Sequence, residues 1–173
     1  ILQFQQTRQP ELVLHDAGVA VIHGAAYGPG GEGTLRVSFA SGGDTLEALG
    51  LLARARRRRF PAGSPVVAIT GSSGKTSTKE MIRSALATRW RVHATSANLN
   101  NLVGVPLTIL GAPEDSDALV VEAGASVPGE IDRRRRISEP TIAVVTNVGY
   151  AHVEGFGSLE GVMREKLALI DGV

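Results

Sequence analysis

A short apolar run that leads into a glycine-rich turn and a lysine constrains this chain more than any other stretch. The segment "VVAITGSSGKTSTKE" covers residues 66–80. Its first five residues predict a buried β-strand, and the residues from Lys75 onward predict an amphipathic helix. A glycine-rich turn between a strand and a helix N-terminus directs several backbone N–H groups at one point. This order of elements is therefore typical of phosphate-binding loops.

The loop departs from the longer Walker pattern, which requires a glycine where this chain has Ile69. The turn therefore begins at Gly71, and an ordinary turn before an amphipathic helix is the alternative explanation. We expect Lys75 to supply a mobile positive charge and the Thr76 hydroxyl to suit Mg²⁺. The residues expected to bind ATP are Gly71, Ser72, Ser73, Gly74, Lys75, Thr76 and Ser77.

Further short apolar runs alternate with helical patterns along the rest of the chain. Strands are predicted at 66–70, 91–96, 117–124 and 140–148, and helices at about 75–89, 101–110, 129–138 and 158–171. Continuous apolar strands indicate a sheet that is covered on both faces, which favours parallel strands with crossover helices. We predict an α/β fold with an open, doubly wound, mainly parallel sheet.

The residues before this region predict a partial small α/β domain over 1–60. Two strands are predicted at 17–23 and 34–40, and a helix begins near Asp44 or Thr45. The segment "PAGSP" at 61–65 is typical of a linker, so we place a central domain at 61–173.

Composition excludes several classes of protein. The absence of cysteine excludes disulfide frameworks and thiolate chemistry, and no run of 18 apolar residues predicts a membrane span. We expect a soluble, cytoplasmic monomer. Arginines cluster at 54 and 56–59 and at 133–136, but no aromatic residue interleaves with them and the net charge is only +1. We therefore expect these clusters to be solvated helix faces and not a nucleic-acid site.

Polar side chains follow two further predicted strands. Glu122 stands at the end of "ALVV", and His152 comes just after "AVVTNV". Because ligands of open α/β sheets bind at the carboxyl ends of the strands, we expect both to lie near the phosphate loop. Asparagines at 98, 100 and 101 are weaker candidates for substrate contact and could instead cap the next helix. Ser126 is another weak candidate.

Helical spacing predicts which side chains face the core in two helices. Leu159, Val162, Met163, Leu167 and Ile170 form one predicted apolar stripe, and Lys166 falls within it. A lysine at such a position either extends to the surface or has a function. In the helix after the loop, Thr78, Met81, Ile82, Ala85 and Leu86 share a predicted stripe, while Lys79 and Arg83 face away.

Four ordered motifs resemble the Mur ligase family over about residues 44–170. They are "ITGSSGKTSTKE", "NLNNLVGVPLTIL", "VVEAGASVPGEI" and "TIAVVTNVGYAHVEGFGSLEGVMREK". The resemblance implies an ATP-dependent amide ligase of peptidoglycan precursor synthesis. The implied substrates are UDP-N-acetylmuramoyl-tripeptide and D-alanyl-D-alanine, which would be joined through an acyl phosphate.

The resemblance also implies roles for individual residues. Lys75 and Lys166 would be catalytic, and Thr76, Glu122, His152 and Lys166 would hold Mg²⁺, with Lys166 carbamylated by CO₂. A histidine ligand to Mg²⁺ rests on the resemblance alone, since Mg²⁺ prefers oxygen ligands. Family members have three domains, so we expect this chain to be a fragment that does not turn over by itself.

Two alternatives stay open. A related ligase of the folylpolyglutamate or cyanophycin synthetase type would share the loop and the acyl-phosphate chemistry. The chain could instead be a non-catalytic nucleotide-binding remnant, which would bind Mg·ATP without substrate-dependent hydrolysis.

Overall fold

A computed structural model describes residues 21–23, 35–37 and 42–173. The described strands are β1 (Val21–His23), β2 (Leu35–Val37), β3 (Val66–Thr70), β4 (Val92–Ala94), β5 (Ala118–Glu122) and β6 (Ile142–Val145). The described helices are α1 (Gly42–Arg57), α2 (Lys75–Leu86), α3 (Gly104–Leu110), α4 (Glu130–Ser138), α5 (Val153–Phe156) and α6 (Leu159–Leu167). None of these helices has the length and hydropathy needed to cross a bilayer.

Strands β3 to β6 form a four-stranded sheet in the order β4-β5-β3-β6, and every neighbouring pair is parallel. In register, Ile69 lies opposite Glu122 on one side and Val144 on the other. The predicted parallel sheet is therefore confirmed. Strands β1 and β2 pair antiparallel with Val21 opposite Val37, and the other residues of the two strands predicted near the N-terminus lie outside the described residues.

Helices cover both faces of the parallel sheet, which confirms the doubly wound arrangement. On one face, Val67 and Ile69 of β3 pack with Val120 against the partly buried Ile82 and Leu86 of α2. The opposite face carries two clusters that α1, α3, α4, α5 and α6 cover together with neighbouring loop residues. Strands β3 and β5 are buried along their whole length, as their unbroken apolar runs require.

The predicted faces of two helices are partly wrong. On α2, Met81 is 65% exposed and Ala85 is also exposed, whereas Lys79 is buried. Lys79 can be buried because its ammonium donates a hydrogen bond to the Thr95 carbonyl, at 2.7 Å.

On α6 and the turn after it, the buried residues are Val162, Glu165, Lys166 and Leu169. Three residues of the predicted stripe are exposed, namely Met163, Leu167 and Ile170. The face of α6 that contacts the core is therefore rotated relative to the face predicted from hydropathy.

Arginines at the end of α1, after Leu52 and Ala53, hold this helix to the end of α4. Arg54 and Arg58 form ion pairs with Glu139, at 2.7 and 2.6 Å. Arg57 donates hydrogen bonds to the carbonyl oxygens of Ser138 and Glu139. These contacts give the first basic cluster a structural role. The domain boundary at 60/61 stays a prediction.

Candidate active site

The glycine-rich loop lies directly after β3, and its first residue has to be glycine. Gly71 has φ 148°, and a Cβ atom there would lie 1.9 Å from Thr146 Oγ1. The loop is further held by Asn147, whose Oδ1 accepts hydrogen bonds from the backbone N–H groups of Ser72 and Ser73, at 3.1 and 3.0 Å. The end of β6 therefore fixes the shape of the loop.

Lys75 begins α2 and reaches back across the loop. Its Nζ donates a hydrogen bond to the Gly71 carbonyl oxygen, at 2.8 Å. Gly74 precedes the helix with φ 76°, which is the left-handed conformation that glycine favours. The predicted order of strand, loop and helix is confirmed, and the positive end of the α2 dipole faces the loop.

A hydrogen-bonded group links the loop to the ends of two other strands. The buried Glu122 accepts hydrogen bonds from Thr76 Oγ1, at 3.0 Å, and from Asn100 Nδ2, at 2.9 Å. The Glu122 backbone N–H donates to Thr95 Oγ1, at 2.9 Å. Lys79 holds the carbonyl of the same Thr95. The carboxylate is thus oriented by α2 and by the loop that begins after β4.

A pocket of about 280 Å³ opens beside this group. It lies at the carboxyl ends of the parallel strands, where open α/β sheets bind ligands. The pocket is lined by Gly71, Lys75, Asn100, Asn101, Gly124, Ala125, Ser126, Glu130, Arg134, His152 and Lys166. The fold therefore brings together seven residues proposed from the sequence as site residues, namely Gly71, Lys75, Asn100, Asn101, Ser126, His152 and Lys166.

Other proposed residues lie elsewhere or have a second role. Ser77 and Asn98 are exposed and lie outside this lining set. Asn101 Oδ1 accepts hydrogen bonds from the backbone N–H groups of Val103 and Gly104, at 3.1 and 2.7 Å. This asparagine therefore caps the start of α3, as the alternative explanation expected, and also lines the pocket.

Lys166 is 2% exposed, so it does not extend to the surface. Its Nζ lies 5.9 Å from the centroid of the Phe156 ring. Burial lowers the pKa of Lys166 below its ordinary value, and the nearby charge of Lys75 lowers this pKa further. A lowered pKa increases the fraction of neutral amine, which is the form that reacts with CO₂.

Two acidic residues and one arginine of the site were missed by sequence reasoning. Glu165 accepts hydrogen bonds from the backbone N–H groups of Gly129 and Ile131, at 2.8 and 2.7 Å, and so holds the start of α4. Glu130 lines the pocket and pairs with Arg134, at 3.2 Å. The four-residue spacing of Glu130 and Arg134 was the available signal, but it is equally typical of an exposed helix face.

Residues 21–23, 35–37 and 42–173 contain no group of three or more His, Asp or Glu side chains that could hold a metal. The metal ligands proposed from the sequence include only two residues of these types, Glu122 and His152. The remaining donors are Thr76 and Lys166, whose side chains carry a hydroxyl and an amine.

The chain is similar to known proteins over most of its described part. The family described as "Mur ligase middle domain" matches residues 69–173. A UDP-N-acetylmuramoyl-tripeptide–D-alanyl-D-alanine ligase of Bacillus subtilis is 46% identical over 130 residues, which are 75% of this chain and 28% of the relative. The ligase of the same name from Escherichia coli is 45% identical over the same shares of each chain.

Solved structures show the same fold. A crystal structure of MurF from Acinetobacter baumannii has a TM-score of 0.70 and 39% identity, covering 79% of this chain and 29% of that protein. MurF ligase from Thermotoga maritima, solved in complex with ADP, has a TM-score of 0.69 and 38% identity, covering 78% and 32%.

An open parallel sheet with a glycine-rich loop between a central strand and a helix defines an α/β protein of the phosphate-loop class. Within that class, the chain belongs to the Mur ligase family. It spans less than a third of the length of the relatives just named.

Proposed function

We propose that this chain is the ATP-binding part of an amide ligase that adds D-alanyl-D-alanine to UDP-N-acetylmuramoyl-tripeptide. The observation that carries the proposal is the pocket that Lys75 shares with Asn100, His152 and Lys166 at the strand ends. The similar ligases carry these two substrates in their names, and one similar structure holds ADP. Because the reaction would consume ATP and a UDP-sugar, we expect it to take place in the cytoplasm.

The chemistry starts with transfer of the γ-phosphoryl group of ATP to the carboxylate of the tripeptide, which releases ADP. The amine of D-alanyl-D-alanine then attacks the acyl phosphate, a C–N bond forms and phosphate leaves. Such a reaction depends on positioning and charge neutralisation more than on covalent help from the protein. Lys75 would neutralise charge on the moving phosphoryl group, while Asn100, Asn101 and Ser126 would contact the acceptor.

The residues present fit one Mg²⁺ ion. The Thr76 hydroxyl and a Glu122 carboxylate oxygen lie 3.0 Å apart, so they can share one cation with phosphate oxygens and water. His152 and a carbamylated Lys166 would hold a second ion. Mg²⁺ would supply charge neutralisation at the phosphate oxygens. Asn100 keeps the Glu122 carboxylate oriented towards the loop through its side-chain amide, and Thr95 holds the Glu122 backbone N–H.

Calorimetric titration of ATP, with and without Mg²⁺, tests the nucleotide site. Lys75→Ala removes a charge-assisted contact, which should cost about 1.5–3 kcal/mol, or tenfold or more in affinity. Arg83→Ala is the matched control, because Arg83 lies on the same helix, is exposed and pairs with Glu80 on the helix surface. Its affinity should equal that of the wild type.

Two results would contradict parts of the proposal. Equal ATP affinity of wild type and Lys75→Ala would show that the loop does not hold phosphate. Unchanged ATP affinity on removal of Mg²⁺ would exclude the proposed metal site. Steady phosphate release that requires both substrates would overturn the expectation that this chain does not turn over by itself, and would exclude a nucleotide-binding remnant.

A further inference from the structure

Arg134 is a buried cation at the pocket that the reaction described above does not use. It lies on α4, is 2% exposed and belongs to the pocket lining. Its Nη2 donates a hydrogen bond to Glu130 Oε1, at 3.2 Å. Among the residues that the structure describes, no atom accepts a hydrogen bond from its Nε or Nη1.

The two nearby carboxylates already have other hydrogen-bond donors. Glu130 Oε2 accepts the backbone N–H of Ser126, at 2.7 Å. Both oxygens of Glu165 accept backbone N–H groups at the start of α4. The pocket also contains the cationic side chain of Lys75 and the amine of Lys166. Without counting Lys166, the lining has two cationic side chains, Lys75 and Arg134, against the one carboxylate of Glu130, so its charge favours an anion.

An arginine in this position costs folding free energy. Burial lowers the pKa of the Arg134 guanidinium below its ordinary value, although the charge of Glu130 opposes this effect. A buried cation with unpartnered N–H groups is less favourable than an apolar side chain of similar size. Buried polar atoms without a partner are uncommon in folded proteins, and one explanation for them is a role in binding or catalysis.

We propose that Arg134 is an oxyanion-binding residue of this pocket, whose guanidinium holds a phosphoryl or carboxylate group from the α4 side. Planar guanidinium groups bind both kinds of oxyanion through two parallel N–H···O bonds. This inference rests on the proposed function, because the ligase reaction brings a phosphoryl group and a carboxylate into the same pocket. Lys75 would hold the anion from the side of the glycine-rich loop, and Arg134 would hold it from the side of α4.

A purely structural role would give a different result. If Arg134 only braces α4 through Glu130, Arg134→Met should lower the free energy of unfolding and leave ligand affinity unchanged. If Arg134 holds an oxyanion, Arg134→Met should leave stability unchanged or raised and should weaken ligand binding. Arg134→Lys keeps the charge without the planar fork, so its affinity should fall between those of wild type and Arg134→Met.

The experiment combines urea unfolding with calorimetry on the whole chain and its variants Arg134→Met, Arg134→Lys and Arg136→Met. Arg136 is the matched control, because it lies on the same helix but is exposed and pairs with Asp132 at 2.8 Å. The probes are Mg·ADP, the Mg²⁺ complex of non-hydrolysable β,γ-imido-ATP, and UDP-N-acetylmuramoyl-tripeptide.

The probes distinguish the two sources of the oxyanion. A loss of about tenfold or more for imido-ATP, with ADP unchanged, assigns Arg134 to the terminal phosphoryl group. A comparable loss for the tripeptide alone assigns it to the substrate carboxylate. Unchanged affinity for all three probes in Arg134→Met would overturn the proposal.

Failure of the proposed function would look different. If the wild-type chain binds none of the three probes, the ATP-binding function proposed for this chain fails, and inorganic phosphate then tests Arg134 directly. Weaker phosphate binding in Arg134→Met than in wild type and Arg136→Met would still support the oxyanion site. Equal phosphate binding, or none, would exclude it.

Discussion

His93 shows how a single half-buried side chain makes stability depend on pH. It lies on β4, where burial lowers the pKa of its imidazole below the ordinary value. The positive charge of Arg56 lowers this pKa further, whereas a hydrogen bond with the Thr108 backbone raises it. The folded protein therefore favours the neutral imidazole. The unfolded chain binds a proton at higher pH, so His93 stabilises the fold above its unfolded-state pKa of about 6.5.

This stabilisation should be lost as pH falls through the lowered pKa of the folded state. We expect the free energy of unfolding to fall from pH 7 towards about pH 5 in the wild type, and to fall less in His93→Gln. Urea unfolding of both proteins across this range measures the difference. At about pH 8 both side chains are neutral, so the difference in free energy of unfolding between the two proteins there measures the packing lost in His93→Gln. This difference is subtracted from those at lower pH. Parallel curves for the two proteins would show that His93 does not titrate differently on unfolding.

At the same scale, the sequence identified residues by their place at strand ends and not by their contacts. Lys75, Glu122 and His152 follow apolar runs, so their position near one edge of the sheet could be predicted. Asn147 and Arg134 could not be found in this way. Asn147 bonds the loop from 74 and 75 residues away along the chain, and the burial of Arg134 results from packing of α4 against the rest of the fold.

At the scale of elements, the contact between α5 and α6 is set by a glycine. Ser158 caps α6 by accepting the Gly161 N–H, at 3.1 Å. A Cβ atom at Gly161 would lie 2.1 Å from the Phe156 carbonyl oxygen, which is a backbone atom that cannot easily move. Since α5 begins after His152 and α6 carries Lys166, this close contact joins the two helices that position these proposed site residues.

Gly161→Ala should therefore destabilise the protein although alanine favours helices. We expect a loss of about 1–3 kcal/mol from overpacking, reduced by a helix-propensity gain of about 1 kcal/mol. Urea unfolding measures this change in the free energy of unfolding, and Arg164→Ala on the exposed side of α6 is the control. A Gly161→Ala protein as stable as the wild type would mean that α6 can shift away from α5 without cost.

The existence of these elements could be predicted better than their orientation. The runs at 66–70 and 117–124 are apolar throughout, which identifies buried strands without reference to any partner. The contact face of α2 depends instead on whether the Lys79 ammonium can find an acceptor, and Thr95 supplies one from the loop after β4. Hydropathy treats that lysine as exposed, so the predicted stripe left out the buried Lys79 and included the exposed Met81 and Ala85, although Ile82 and Leu86 were placed correctly.

At the scale of the whole molecule, the strand order puts the site where several chain segments meet. The phosphate loop follows β3, which is flanked by β5 and β6. Glu122 ends β5, and Asn147 follows β6. Thr95 and Asn100 come from the loop after β4 and bond to Glu122. Strand order depends on long-range pairing, so the sequence predicted one shared edge but not which segments would be neighbours there.

Such a site should respond to nucleotide as one unit. We expect Mg·ADP to slow amide hydrogen exchange in residues 71–76 and also in residues 95–103 and 146–152. The reason is that Glu122 joins Thr76 to Asn100, and Asn147 joins the loop to the end of β6. A ligand that orders one member of this group should reduce local opening in the others.

Exchange measured by mass spectrometry with and without Mg·ADP tests this prediction. The region where Arg57 bonds the end of α4 is the internal control and should not change, since those contacts lie between α1 and α4. Lys75→Ala should lose the protection in all three segments together, because each depends on the same bound phosphates. Protection confined to residues 71–76 would show that the loop binds nucleotide without ordering the neighbouring strand ends. The pocket residues would then have to be positioned by the second substrate instead.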